Sequence, residues 1–82
     1  MRILQVHPEI LEYIQKHGLE KKFTKQIKIF ETDLRHPSLN LELIEPKHLR
    51  FYSFRIDRKY RAIFIFRDHD TAEIIDVNNH YK

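Results

Sequence analysis

A chain of 82 residues can enclose one hydrophobic core and no more, so a single domain over residues 1–82 is expected. Hydrophobic residues make up 41% of it, too many for a disordered chain, and the lack of cysteine excludes disulfide staples and thiolate chemistry. The formal net charge of +3 is a mild pointer to a polyanionic partner, and no apolar run suits export or membrane insertion, so a cytoplasmic location is expected.

Residues 1–6 read as a short strand, and Pro8 then suits the first turn of a helix. Ile10, Leu11 and Ile14 form an apolar stripe at helical spacing. Gly18, the one glycine, stands where a C-terminal cap belongs, which places the first helix over 8–17. From Glu20 onward Phe23, Ile27, Phe30 and Leu34 recur at helical intervals, while Lys21, Lys22, Lys25, Lys28 and Glu31 fall elsewhere around the axis. This is a second amphipathic helix, and His36-Pro37-Ser38 breaks it, because proline cannot continue the hydrogen-bond ladder. His36 is accordingly read as a turn residue.

The second half is strand-like. Residues 39–44 are a weaker strand candidate; Tyr52, Phe54 and Ile56 alternate with Ser53, Arg55 and Asp57; Tyr60, Ala62, Phe64 and Phe66 alternate with Arg61, Ile63 and Ile65; residues 71–77 supply a further strand. Two helices packed on one face of a mainly antiparallel sheet bury these stripes most simply, giving an α+β fold of order β-α-α-β-β-β.

Charge concentrates in the same region. Between Glu45 and Phe66, Lys47, Arg50, Arg55, Arg58, Lys59 and Arg61 are opposed only by Glu45 and Asp57. The hairpin around Arg58 adds a geometric constraint. For Tyr52, Phe54 and Ile56 to share the helix side with Tyr60, Ala62 and Phe64, the turn must be odd in length, because a one-residue slip flips every side chain of one strand. Arg55 then lies opposite Arg61 on a bare, helix-free face. Like charges directly across a strand pair cost up to about 1 kcal/mol, so the pair asks for an anion, with phosphate as the natural candidate. The alternative is that Asp57 or Asp76 pairs with one of the arginines and the face is merely solvated.

The chain closes on His80-Tyr81-Lys82, a titratable imidazole beside a phenol. Histidine is suited to moving protons near neutrality, and tyrosine can orient a phosphate or stack on a base. The histidines at 7, 17, 36, 48, 69 and 80 show no metal-ligand spacing, so no metal is expected.

Residues 36–39 (His-Pro-Ser-Leu), 52–56 (Tyr-Ser-Phe-Arg-Ile), 59–64 (Lys-Tyr-Arg-Ala-Ile-Phe) and the closing His80-Tyr81 together resemble the RelE/ParE superfamily of type II toxins, over roughly residue 23 to the carboxyl end. The closing pair is similar to the YoeB branch. The resemblance implies a ribosome-dependent mRNA endonuclease that works by attack of a ribose 2′-hydroxyl on the adjacent phosphate, without metal or other cofactor, and that is silenced by a cognate antitoxin. Its partners would be that antitoxin, the ribosome and mRNA. By the same resemblance Arg61 would bind phosphate, His80 would act as general acid, Tyr81 would orient substrate, and Glu42 stands at the spacing of the general base. Glu45, Lys47 and His48 are the alternatives for that last role. Arg55, Lys47, Arg50, Arg58 and Lys59 would contact RNA. Two other readings keep the fold: a ParE-like poison of DNA gyrase, and an inactive RNA-binding relative.

Overall fold

The computed structural model describes residues 1–79. In chain order these form β1 (Arg2–Ile3), α1 (Pro8–Lys16), α2 (Glu20–Thr32), β2 (Glu42–Leu43), β3 (Tyr52–Arg55), β4 (Arg61–Asp68) and β5 (Thr71–Asn78), with 3-10 turns at Pro37–Leu39 and Lys47–Leu49. One five-stranded sheet runs in the order β1-β5-β4-β3-β2, antiparallel except where β1 lies parallel to β5. Both helices pack on one of its faces, as the expected α+β architecture requires. Among the described residues no helix is long and apolar enough to cross a membrane.

Gly18 does end α1. Its φ of 65° lets the Leu19 N–H reach back to the Ile14 carbonyl at 2.9 Å while its own N–H donates to Gln15 at 3.1 Å, so two otherwise orphaned carbonyls are satisfied. Leu19 and Ile14, brought together by that cap, are both buried. Leu11, placed on the apolar stripe by spacing, is instead 47% exposed.

The second helix is shorter than its periodicity suggests. Asp33 is extended (φ −152°), so Leu34 falls outside the helix. The local cause is competition from side chains: the Thr32 hydroxyl donates to the Lys28 and Ile29 carbonyls, and the Asp33 carboxylate accepts the Arg35 N–H. His36 plays the turn role read from sequence, its Nδ1 accepting the Ser38 N–H at 3.1 Å.

Phe30 is the centre of the core, 4.9 Å from Phe64 and 5.2 Å from Phe54 between ring centroids, which pins α2 to the even-numbered faces of β3 and β4. Phe30, Phe54, Phe64, Leu39 and Ile74 are essentially solvent-free. The weaker strand candidate forms as the two residues of β2 and gives the sheet a fifth strand; Asn40, in the left-handed region at φ 43°, and Pro46 bound it on either side.

The β3–β4 turn is odd in length. Tyr52 faces Phe64, Phe54 faces Ala62 and Arg55 faces Arg61, with the Ile56 N–H donating to the Tyr60 carbonyl at 2.9 Å. Asp57 holds this turn: one carboxylate oxygen accepts the N–H groups of Lys59 (2.8 Å) and Tyr60 (2.9 Å), and the other accepts from Lys22 at 3.2 Å. Burial pushes the Asp57 carboxyl up, but those N–H groups and the Lys22 ammonium outweigh it and hold the pKa below the ordinary aspartate value. Asp57→Ala should therefore cost about 1–3 kcal/mol at neutral pH. A depressed folded-state pKa contributes stability above the unfolded value that is lost as pH falls through the folded one, so urea midpoints of variant and wild type should converge in acid. A gap that stays constant with pH would contradict this role.

Candidate functional site

Strand alternation places Ser53, Arg55, Arg61, Ile63, Asp76 and Asn78 on the face opposite the helices. Two rows cross the sheet there: Glu42, Ser53, Ile63 and Asp76 on four neighbouring strands, then Arg55, Arg61 and Asn78 on three. The arginine pair inferred from sequence is thus in register on the helix-free face.

The face is not bare at Arg61. That residue is 7% exposed, and its side chain turns back across β3: Nε donates to Ser53 Oγ at 2.9 Å, while Nη2 donates to the Asn40 carbonyl at 2.5 Å and to the Ser53 carbonyl at 3.3 Å. The segment from the Pro37–Leu39 turn into β2 forms a partial roof. This corrects the expectation of two open guanidinium groups, and its cause is plain: a buried charge must be hydrogen-bonded, and the left-handed Asn40 aims a carbonyl at it. Glu42, half exposed, brings a carboxylate oxygen to 3.9 Å from Arg61 Nη2.

Arg55 differs. It is half-buried, and among the described residues its guanidinium makes no hydrogen bond or ion pair. Neither aspartate suggested as its partner is engaged with it. Asp57 is committed to the turn and Lys22, and Asp76 accepts the Val77 N–H and the Asn78 side-chain amide.

The remaining basic candidates divide between the two ends of β3. Arg58 and Lys59 are exposed in the turn beside the arginine pair; Lys47 and Arg50 are exposed at the far end, with Glu45 and His48. Arg50 and Arg55 are five positions apart, roughly 15 Å of near-extended chain. His80 and Tyr81 lie outside the described residues. The last pair of the β4–β5 ladder is Arg61 with Asn78, two residues before His80 in sequence.

Three residues of the site escape sequence reasoning: Ser53, Asn40 and Gln26. Gln26 is 5% exposed and donates to the Arg55 carbonyl at 2.7 Å and the Ser38 carbonyl at 3.1 Å. A signal was present, since Gln26 interrupts the apolar stripe between Phe23 and Phe30. Chemically, the arrangement offers fixed positive charge with a carboxylate beside it, which suits an anion that must also give up a proton nearby.

No family model and no curated protein matches the chain. Solved structures do. A chain of the YoeB–YefM complex from Staphylococcus aureus superposes with a TM-score of 0.69 at 22% identity, over 99% of this chain and 98% of that one. The YoeB/ParE toxin from Agrobacterium tumefaciens gives 0.71 at 16%, over 99% and 100%. A copper-bound mutant toxin from Helicobacter pylori gives 0.71 at 11%, over 96% and 91%. The domain therefore shares the fold of these solved YoeB and YoeB/ParE structures.

Arg50 adopts φ 58°, a left-handed conformation costing a residue with a side chain about 1–2 kcal/mol, whereas glycine is at ease there. Because glycine also gains freedom in the unfolded chain, Arg50→Gly should raise stability by no more than about 1 kcal/mol. Urea denaturation checks this, and a lowered midpoint would mean that the Arg50 side chain contributes packing.

Proposed function

We propose that this chain is the toxin of a toxin–antitoxin pair and that it cleaves mRNA at the ribosome, using the Arg55–Arg61 face to hold the scissile phosphodiester. The observation that carries the proposal is the register of the two arginines on the helix-free face, with the Glu42 carboxylate 3.9 Å from Arg61.

In this reading the ribose 2′-hydroxyl attacks the adjacent phosphorus, Glu42 accepts its proton, and the bond to the 5′-oxygen breaks as His80 protonates that oxygen. The products are a 2′,3′-cyclic phosphate and a 5′-hydroxyl. Arg61, already desolvated and oriented, stabilises charge on the phosphorane without reorganising, and Arg55 closes on a non-bridging oxygen. Tyr81 orients the substrate. Arg58 and Lys59 meet the backbone beside the cut, while Lys47 and Arg50 meet it farther along. Support for an antitoxin partner comes from the Staphylococcus aureus neighbour, a YoeB–YefM complex. The basic surface of this chain suits an acidic segment of such a partner.

Each proton-transfer group contributes on the order of 10²–10⁴-fold, so His80→Ala and Glu42→Gln should each slow cutting by that range, and Arg61→Ala should abolish it. Primer extension on message from an in vitro translation reaction reads the ends. Intact message with the wild-type protein, or inhibited gyrase supercoiling in its place, contradicts the proposal.

A further inference from the structure

We propose that Gln26 is a positioning residue for the arginine pair: its buried amide replaces the missing end of β2, and so fixes both the strand that carries Arg55 and the carbonyl that holds Arg61. The proposal deepens the functional reading above and rests on it for its catalytic consequence.

Because the Ile56 N–H bonds to the Tyr60 carbonyl, the adjoining Arg55–Arg61 pair is of the kind whose backbone groups point outward from the hairpin. The Arg55 carbonyl therefore faces the side on which β2 runs. With Glu42 opposite Ser53 and Leu43 opposite Tyr52, a longer β2 would set Asn40 opposite Arg55 and its N–H against that carbonyl. Asn40 does not do this. It is left-handed, its N–H is spent on the Pro37 carbonyl at 3.1 Å, and its own carbonyl is turned to Arg61 Nη2.

The bend that roofs Arg61 thus leaves the Arg55 carbonyl without a strand partner. An orphaned carbonyl in a buried position is costly, and Gln26 reaches from α2 to satisfy it at 2.7 Å. Its second amide hydrogen goes to the Ser38 carbonyl at 3.1 Å, within the turn that leads into Asn40. One side chain consequently ties helix, roof and arginine strand together at 5% exposure. A shift of a few tenths of an ångström in the roof acts directly on Arg61, whose shortest hydrogen bond among the described residues is to it. Gln26 itself touches neither guanidinium group through its amide, so its effect is on placement.

The test compares Gln26→Leu with Ile14→Ala, a cavity variant in α1 away from the site that serves as a control for lost stability. Two quantities are read: hydrogen exchange of the Arg61 Nε–H by NMR, and single-turnover cleavage of ribosome-bound message. In Gln26→Leu the exchange should quicken at least tenfold and the cleavage rate constant should fall at least tenfold, with the half-saturating ribosome concentration within twofold of wild type. Ile14→Ala should move neither. Equal effects in both variants, or wild-type exchange and rate in Gln26→Leu, overturn the proposal. A wild-type protein that cuts nothing sinks the nuclease reading and leaves exchange alone to decide on Gln26. Should Gln26→Leu not fold, Gln26→Asn, too short to reach both carbonyls, should still quicken exchange, and wild-type protection in it would count as refutation.

Discussion

The parity of one turn governs this molecule. Because the β3–β4 connection is odd in length, every residue between Tyr52 and Phe64 is sorted to a face: aromatics toward the helices, arginines away from them. A turn one residue longer or shorter would either bury Arg55 under α2 or expose Phe64. The penalties run to several kcal/mol in each case, far above the cost of about 1 kcal/mol for two like charges facing each other. The core therefore enforces the arginine pair, and the electrostatic tension on the opposite face is a by-product that the proposed phosphate would relieve.

The molecule treats its two arginines unequally. Arg61 is sunk beneath the Asn40 carbonyl and braced by Ser53, while Arg55 keeps a guanidinium that no other described residue engages. A buried, fully oriented charge gives up little solvation when a ligand arrives, and a less committed one can move onto it. Together they describe a site with one rigid and one adaptable donor, which suits a group whose geometry changes from tetrahedral to trigonal bipyramidal during reaction. The same face carries a second polar cluster at its other end, where hydrogen bonds from His7 and from Arg67 hold the Glu73 carboxyl below the ordinary glutamate range. That cluster ties the start of α1 to the sheet.

Much of this was legible in the chain and some of it was not, for identifiable reasons. The odd turn, the Gly18 cap and the faces of β3 and β4 follow from periods of 2 and 3.6 and from the conformational range of glycine, all local properties, whereas β5 shifts register opposite Ile63 and Phe64 and so departs from strict alternation. The end of α2 was missed because Thr32 and Asp33 satisfy backbone groups through their own side chains, which apolar spacing does not register. The burial of Arg61 was missed because it depends on Asn40, 21 residues away. Gln26 lies in between: a polar residue on an apolar stripe signals a buried partner, but its partners lie 12 and 29 residues distant.

The proposed chemistry requires a phosphodiester held between Arg55 and Arg61. A crystal structure with a short RNA whose reactive ribose lacks the 2′-hydroxyl addresses that point directly. The expected result is one phosphate with oxygen atoms within hydrogen-bonding distance of both guanidinium groups and Glu42 beside the 2′ carbon. RNA seated on the helix side, or a phosphate held only by Lys47 and Arg50 at the far end of β3, would contradict it.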